Sequence, residues 1–147
     1  MDCMIYIAGP LFNEMERRQN AELDAILQEN GFSTYLPQRD GGEFAKELAA
    51  GTAPEEVRRR MFLLDIEAVK DCEILLFLFD GRVPDEGACF ELGMAYSLGK
   101  GCLGYKTDAR SFIGGYDNLM LTESLEGVFH TPASLVDYLK KRKVDTP

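Results

Sequence analysis

Residues 72–79 read CEILLFLF, apolar at every position but Glu73. A strand with one wet face would alternate apolar and polar residues, and this one does not. At eight residues it is also far short of the ~18 a membrane span needs, and no other run in the chain comes closer. It fits a central strand of a parallel sheet, buried on both faces by helices. The flanks supply such helices. Upstream, 54–70 opens on Pro54 with Glu55 and Glu56 in its first turn, as proline's fixed φ and the helix dipole favour. Downstream, PDEGACFELGMAYSLGK (84–100) sets Ala88, Leu92, Ala95 and Gly99 on one stripe at helical spacing.

The same alternation continues outward. CMIYIAG (3–9) is a short buried strand ended by Gly9-Pro10, and a helix over 12–30 follows, stopped by Gly31. FSTYLP (32–37) is a second strand, QRDGG (38–42) a loop, and 43–50 a short helix. GCLGYKT (101–107) is a fourth strand, 108–118 a polar, glycine-rich loop and GVFH (127–130) a fifth strand. Ser134 is expected to cap a last helix, and the tail KVDTP to fray. Strands alternating with helices give an α/β chain, read as one domain over 1–147 with a parallel sheet covered on both sides. Ligands in such folds bind beyond the C-terminal ends of the strands, here 9–12, 38–42, 80–86 and 106–110.

The formal charge of −9 argues against a nucleic-acid polymer or an anionic membrane as partner, since both call for basic surfaces. The opening MDCMIYIAGP shows no signal-peptide pattern, and Cys3, Cys72, Cys89 and Cys102 include no C-x-x-C pair. Reduced, mostly buried thiols and a cytoplasmic location are expected. His130 is the sole histidine, so a multi-histidine metal site within one chain is impossible. There is no G-x-x-x-x-G-K-[ST] and no G-x-G-x-x-G. The three arginines at 58–60 point in different directions around a helix, and Cys89 reads as packing.

The carboxylates are the unusual feature. Glu91 shares the stripe Ala88, Ala95, Leu98, and Asp65 shares that of Met61, Leu64, Ala68 and Cys72. Two helices flanking one central strand thus each carry an acid on an inward face, where unpaired charge is costly. Asp85 follows Pro84 in the position of a helix cap. Three arrangements suit these acids: helix-edge residues reaching solvent, oxygen ligands for a divalent cation, or a nucleophile and proton donor for glycosidic-bond chemistry.

In order, IYIAGPLF (5–12), LPQRDG (36–41), LLDIEAVKDCEILLFLFDG (63–81), PDEGACFELGMAYSLGK, GYKTDAR (104–110) and DNLML (117–121) resemble the nucleoside 2-deoxyribosyltransferase family. The resemblance implies a flavodoxin-like/Rossmann-like three-layer α/β sandwich with a mostly parallel five-stranded sheet. It implies a retaining, ping-pong transfer of 2-deoxyribose between nucleobases through a covalent deoxyribosyl-glutamate, with no metal or organic cofactor. It places the nucleophile at Glu91, base-contacting acids at Asp65 and Asp85, and a tyrosine positioning the nucleophile at Tyr6. Phe12, Gln38, Asp40, Gly87, Asn118 and Met120 would bind substrate. Asn118 and Met120 would reach into a neighbouring subunit's site, so a homo-oligomer with shared sites is implied. Two family features are missing. KVDTP lacks the terminal aromatic residue of some relatives, and AGPLFNEMERR lacks the Ser-x-Arg-Gly phosphate cradle of nucleotide-cleaving ones. The latter favours unphosphorylated nucleosides, although Arg17, Arg18, Arg110 and Ser111 lie near. The alternative reactions are N-glycoside hydrolysis of nucleosides or their 5′-monophosphates, and a non-catalytic nucleotide-binding domain.

Overall fold

The structure, a computed structural model, describes residues 4–81 and 83–145. Its elements run β1 (Met4–Ala8), α1 (Glu14–Glu29), β2 (Ser33–Tyr35), α2 (Pro37–Asp40), α3 (Phe44–Ala49), α4 (Pro54–Asp71), β3 (Ile74–Leu78), α5 (Glu86–Ser97), β4 (Gly101–Tyr105), α6 (Leu119–Thr122), β5 (Gly127–Phe129) and α7 (Pro132–Asp145). The five strands form one sheet in the order β2-β1-β3-β4-β5, and every pairing is parallel. This is the flavodoxin-like arrangement. The chain steps from β1 out to β2 and then back across to β3. That switch opens a crevice beyond the C-terminal ends of β1 and β3.

The apolar run at 72–79 supplies β3, all five residues of which are buried. Side chains alternate between faces with period two. Ile74, Leu76 and Leu78 join Ile5, Ile7, Leu23, Leu27, Leu135 and Leu139 under α1 and α7. Leu75 and Phe77 join Tyr6, Ala8, Ala68, Val69, Leu92 and Ala95 under α4 and α5. Each fully buried side chain of this size contributes roughly 1.5–3 kcal/mol, so β3 anchors both layers at once.

The local chemistry sets the ends. Asn13 and Glu16 form a capping box at the start of α1, and Gly31, at φ +82°, turns the chain out of it. Several expectations need correction. The stretch 38–42 is not wholly loop: Pro37 starts a helical turn, held by the Asp40 carboxylate accepting from the Leu36 N–H. The helix expected over 84–100 is shorter, and α6 forms directly after the expected loop 108–118, in a stretch to which the sequence pattern assigns no element. The cap of α7 is Thr131, whose Oγ1 accepts from the Ser134 N–H, three residues before the expected cap at Ser134. Leu64 does not face inward. The buried line of α4 is Val57, Ala68 and Val69. Cys72 and Cys102 are buried and Cys89 half-buried, all as free thiols. Cys3 and the end of the tail, 146–147, lie outside the described residues, and α7 continues through Asp145. Among the described residues no helix is long and apolar enough to cross a membrane.

Candidate active site

Tyr6 occupies the middle of β1 and points to the α4/α5 face, fully buried. Its register partner across the ladder is Tyr35, the last residue of β2. Neighbouring parallel strands thus present two phenol rings to the same face, and the rings stack with centroids 5.2 Å apart and planes 13° from parallel. Each hydroxyl reaches one acid. Tyr6 donates to Glu91 Oε1 at 2.8 Å, and Tyr35 donates to Asp65 Oδ1 at 2.9 Å. Glu91 stands in the second turn of α5, Asp65 in the middle of α4, and these two helices pack side by side. The result is two parallel tyrosine–carboxylate pairs at the switch between β1 and β3.

Electrostatics separate these acids from surface carboxylates. Burial pushes Glu91 up to about 8; the charges of Asp65 and Asp85 add to the rise, while the Tyr6 hydrogen bond opposes it. The positive end of the α5 dipole does not outweigh burial here. Burial likewise raises Asp65 against the opposing Tyr35 bond. Burial and then the neighbouring carboxylates drive both tyrosines well above the ordinary phenol range, so both remain neutral donors. No cation pairs with either acid among the described residues. Glu91 Oε2 and Asp65 Oδ2 take part in no hydrogen bond there either. Each acid is therefore held by one oxygen and leaves the other available.

Asp85 caps α5, its Oδ2 accepting from the Ala88 N–H at 2.8 Å, while its charge acts on Glu91. Structural and electrostatic parts coexist in one residue. A Cβ on Gly87 would stand 3.1 Å from Asp85 Oδ2, so the glycine leaves the carboxylate its place. The remaining expected residues stand apart. Gln38 bridges to α1, donating to the Arg17 carbonyl and accepting from Asn20. Asp40 pairs with Arg39, although its charge still acts on Tyr35. Phe12 and Met120 are 75% and 73% exposed, and the Asn118 side chain caps α6. Asn118 and Met120 line a cavity of about 370 Å³ with Phe79, Pro84, Cys89 and Phe112, beside the head of α5. Another cavity, of about 330 Å³, lies between α1 and the ends of β3 and β4 and touches none of the three acids. No group of three or more His, Cys, Asp or Glu side chains among the described residues is arranged to hold a metal ion.

Two residues of this site escape the sequence reading. Tyr35 looks like any aromatic strand residue until β1 and β2 are in register. Gly41 looks like a turn residue, yet a Cβ there would come within 2.9 Å of Asp65 Oδ1.

Two half-buried acids, each with one free oxygen and each raised by burial, can act as a nucleophile and a proton donor when one is ionised and the other protonated. Comparison with known proteins identifies relatives in sequence and in fold. The family model described as nucleoside 2-deoxyribosyltransferase matches residues 5–131. Among solved structures, a conserved protein from Enterococcus faecalis V583 superposes with a TM-score of 0.78 at 27% identity, covering 97% of this chain and 99% of that one. A 2-deoxyribosyltransferase from Bacillus psychrosaccharolyticus superposes with a TM-score of 0.74 at 26% identity, covering 92% of each chain. A 2-desoxiribosyltransferase from Leishmania mexicana shares the fold, with a TM-score of 0.64 at 22% identity over 94% of this chain and 97% of that one. No curated protein matches the chain.

Proposed function

Because the chain belongs to the nucleoside 2-deoxyribosyltransferase family, we propose that it moves 2-deoxyribose between nucleobases through a covalent intermediate on Glu91. The observation that carries this reading is the Tyr6–Glu91 hydrogen bond beside the Tyr35–Asp65 pair. The charge of Asp65 adds to the rise of Glu91, so an ionised Glu91 is favoured when Asp65 carries a proton. In the reactive arrangement the shared proton sits on Asp65, and Glu91 is ionised. A Glu91 oxygen attacks the anomeric carbon as the bond to the base nitrogen breaks, and the departing base takes the Asp65 proton. The ester so formed is attacked by a second base, whose proton returns to Asp65 as Glu91 leaves. Each displacement inverts the anomeric carbon, Glu91 attacking opposite the departing base and the second base attacking opposite Glu91, so the two together retain configuration. Asp85 adds negative charge beside the site and contacts the base. Unphosphorylated nucleosides are the expected substrates.

Asn118 and Met120 serve a neighbouring subunit's site in this reading. Their exposure, with that of Phe12, supports it. Mixing inactive Glu91→Gln with inactive Asn118→Ala should then restore part of the activity, because mixed assemblies contain some intact sites.

Incubation with deoxyinosine, with and without adenine, tests the reaction. Deoxyadenosine formed only with adenine supports transfer. Free deoxyribose as the sole product means that water is the acceptor, and no turnover on any deoxynucleoside overturns the reading.

A further inference from the structure

We propose that Tyr35 is a positioning residue of this site: its hydroxyl keeps Asp65 Oδ2 free for the base, and its ring holds Tyr6 under Glu91. The inference rests on the transfer reading above and deepens it. Four observations meet on this side chain. Tyr35 is the register partner of Tyr6, so the sheet itself fixes their spacing. The rings stack nearly parallel, so displacement of one ring is felt by the other. The hydroxyl donates to Asp65 Oδ1, the same oxygen against which Gly41 packs. Oδ1 is thereby enclosed from two sides, and Oδ2 is left to exchange a proton. Finally, Arg39, only four residues on, is drawn to Asp24 and Asp40 instead. Asp65 is thus held by a neutral donor. A guanidinium there would fix it as an anion and end its use as an acid.

The groups that bear on this acid pair are few. Tyr6 faces it from β1, and Tyr35 from β2, where the charge of Asp40 also reaches Tyr35. From α5 come Glu91 and Asp85. On α3, Glu47 is taken up by Arg60 of α4. In the second half-reaction Glu91 is an ester and no longer titrates, so the acidic limb of kcat/KM for the incoming base reports on Asp65 as the proton acceptor. That kcat/KM rises with pH as Asp65 ionises and becomes able to accept the proton. The Tyr35 bond favours the ionised form. Removing it must move that acidic limb to higher pH.

The test uses Tyr35→Phe, which keeps the ring and loses the hydroxyl, and Tyr35→Leu, which loses both. Tyr35→Phe should lower kcat roughly 10–100-fold, the usual loss for an outer partner of a reacting group, with KM for the nucleoside little changed. It should also shift the acidic limb for the incoming base upward. Tyr35→Leu should in addition shift the limb set by Glu91. A fall in thermal midpoint with both limbs unmoved would assign Tyr35 a packing role only and overturn the inference. The Asp65 carboxyl resonance, assigned with Asp65→Asn, gives a readout independent of turnover. An upward-shifted titration in Tyr35→Phe supports the inference even if no deoxynucleoside reacts, a result that would sink the transfer reading alone. An unchanged titration overturns the inference whatever the substrate.

Discussion

The two faces of the sheet hold their acids in opposite ways. Under α1, Asp24 is 7% exposed and fully engaged. It accepts from Arg39 Nη1 at 2.7 Å, from Thr34 Oγ1 at 2.5 Å and from Gln28 Nε2 at 3.0 Å. A cation and two neutral donors saturate it, and it ties α1 to the end of β2. Under α4 and α5, Asp65 and Glu91 each receive one neutral phenol and no cation. Burial then raises both, and each keeps an oxygen in reserve. The two kinds of acid differ in their partners as well as in their burial. A saturated acid fixes the fold, and an under-saturated one is poised for chemistry.

The largest effect that should follow from this contrast is the loss of transfer in Glu91→Gln. Removing the proposed nucleophile should cost on the order of 10⁴-fold or more in exchange rate, read by chromatography of the product nucleosides. Full activity in that variant would end the contrast. Next come paired substitutions on the two faces. Asp65→Asn keeps an acceptor for Tyr35 but carries no exchangeable proton. Its rate should fall about 10²–10³-fold, with a thermal midpoint equal to or above that of the wild type. Asp24→Ala should do the reverse. It leaves Arg39 without its buried partner and should cost about 2 kcal/mol of stability, with the exchange rate per folded molecule unchanged. If both variants lost activity and stability in parallel, the division between faces would fail.

A smaller effect lies in stability against pH. The folded state holds the Glu91 proton up to about 8, whereas an unfolded glutamate releases it near 4.5. Below the lower value both states are protonated, and burial of a neutral acid costs little. As pH rises from there to about 8 the unfolded state alone loses its proton, and the wild type loses stability. Glu91→Gln has no such loss. Its thermal midpoint should match the wild type near pH 4.5 and exceed it at pH 9, with a stability difference of at most about 5 kcal/mol, about 1.36 kcal/mol for each pH unit between 4.5 and about 8. A constant offset across that range would mean that Glu91 is not the buried, protonated acid described.

How much of this was legible beforehand follows from the range of each signal. β3 was readable because an eight-residue apolar run has few other folds open to it. The parallel sheet follows from strand and helix alternation, whereas its flavodoxin-like order is implied only by the family resemblance. Glu91 and Asp65 stood out because helical spacing is local and puts an acid visibly among apolar neighbours. Leu64 misled for the same reason. A stripe gives an angle around α4, and only the position of β3 and α5 decides which edge of it is covered. Tyr35 was invisible because its meaning depends on register between β1 and β2, a contact made across 29 residues. Gln38 and Asp40 fell in the expected segment after β2, but their hydrogen bonds to α1 and Arg39 depend on how α2 turns.

The smallest effect concerns the two phenols. They stack on one another and make bonds of nearly equal length, Tyr6 fully buried and Tyr35 partly so, yet each should govern a different part of the pH profile. Tyr6→Phe removes a donor to Glu91, a bond that opposes the rise caused by burial. The Glu91 carboxyl must then move above about 8, and with it the basic limb of kcat/KM for the nucleoside, where the last proton leaves the acid pair. The ionised fraction of Glu91 falls at neutral pH, so the rate there should drop about tenfold, the size expected for one hydrogen bond to a charged group. The acidic limb for the incoming base should stay in place, because Glu91 is esterified in that half-reaction and Tyr6 has no bond to Asp65. Tyr35→Phe should move that acidic limb. Separate limbs for separate tyrosines would show that the stacked rings carry two individual carboxylate holders. One common shift in both variants would instead mean that the four side chains titrate as a single network.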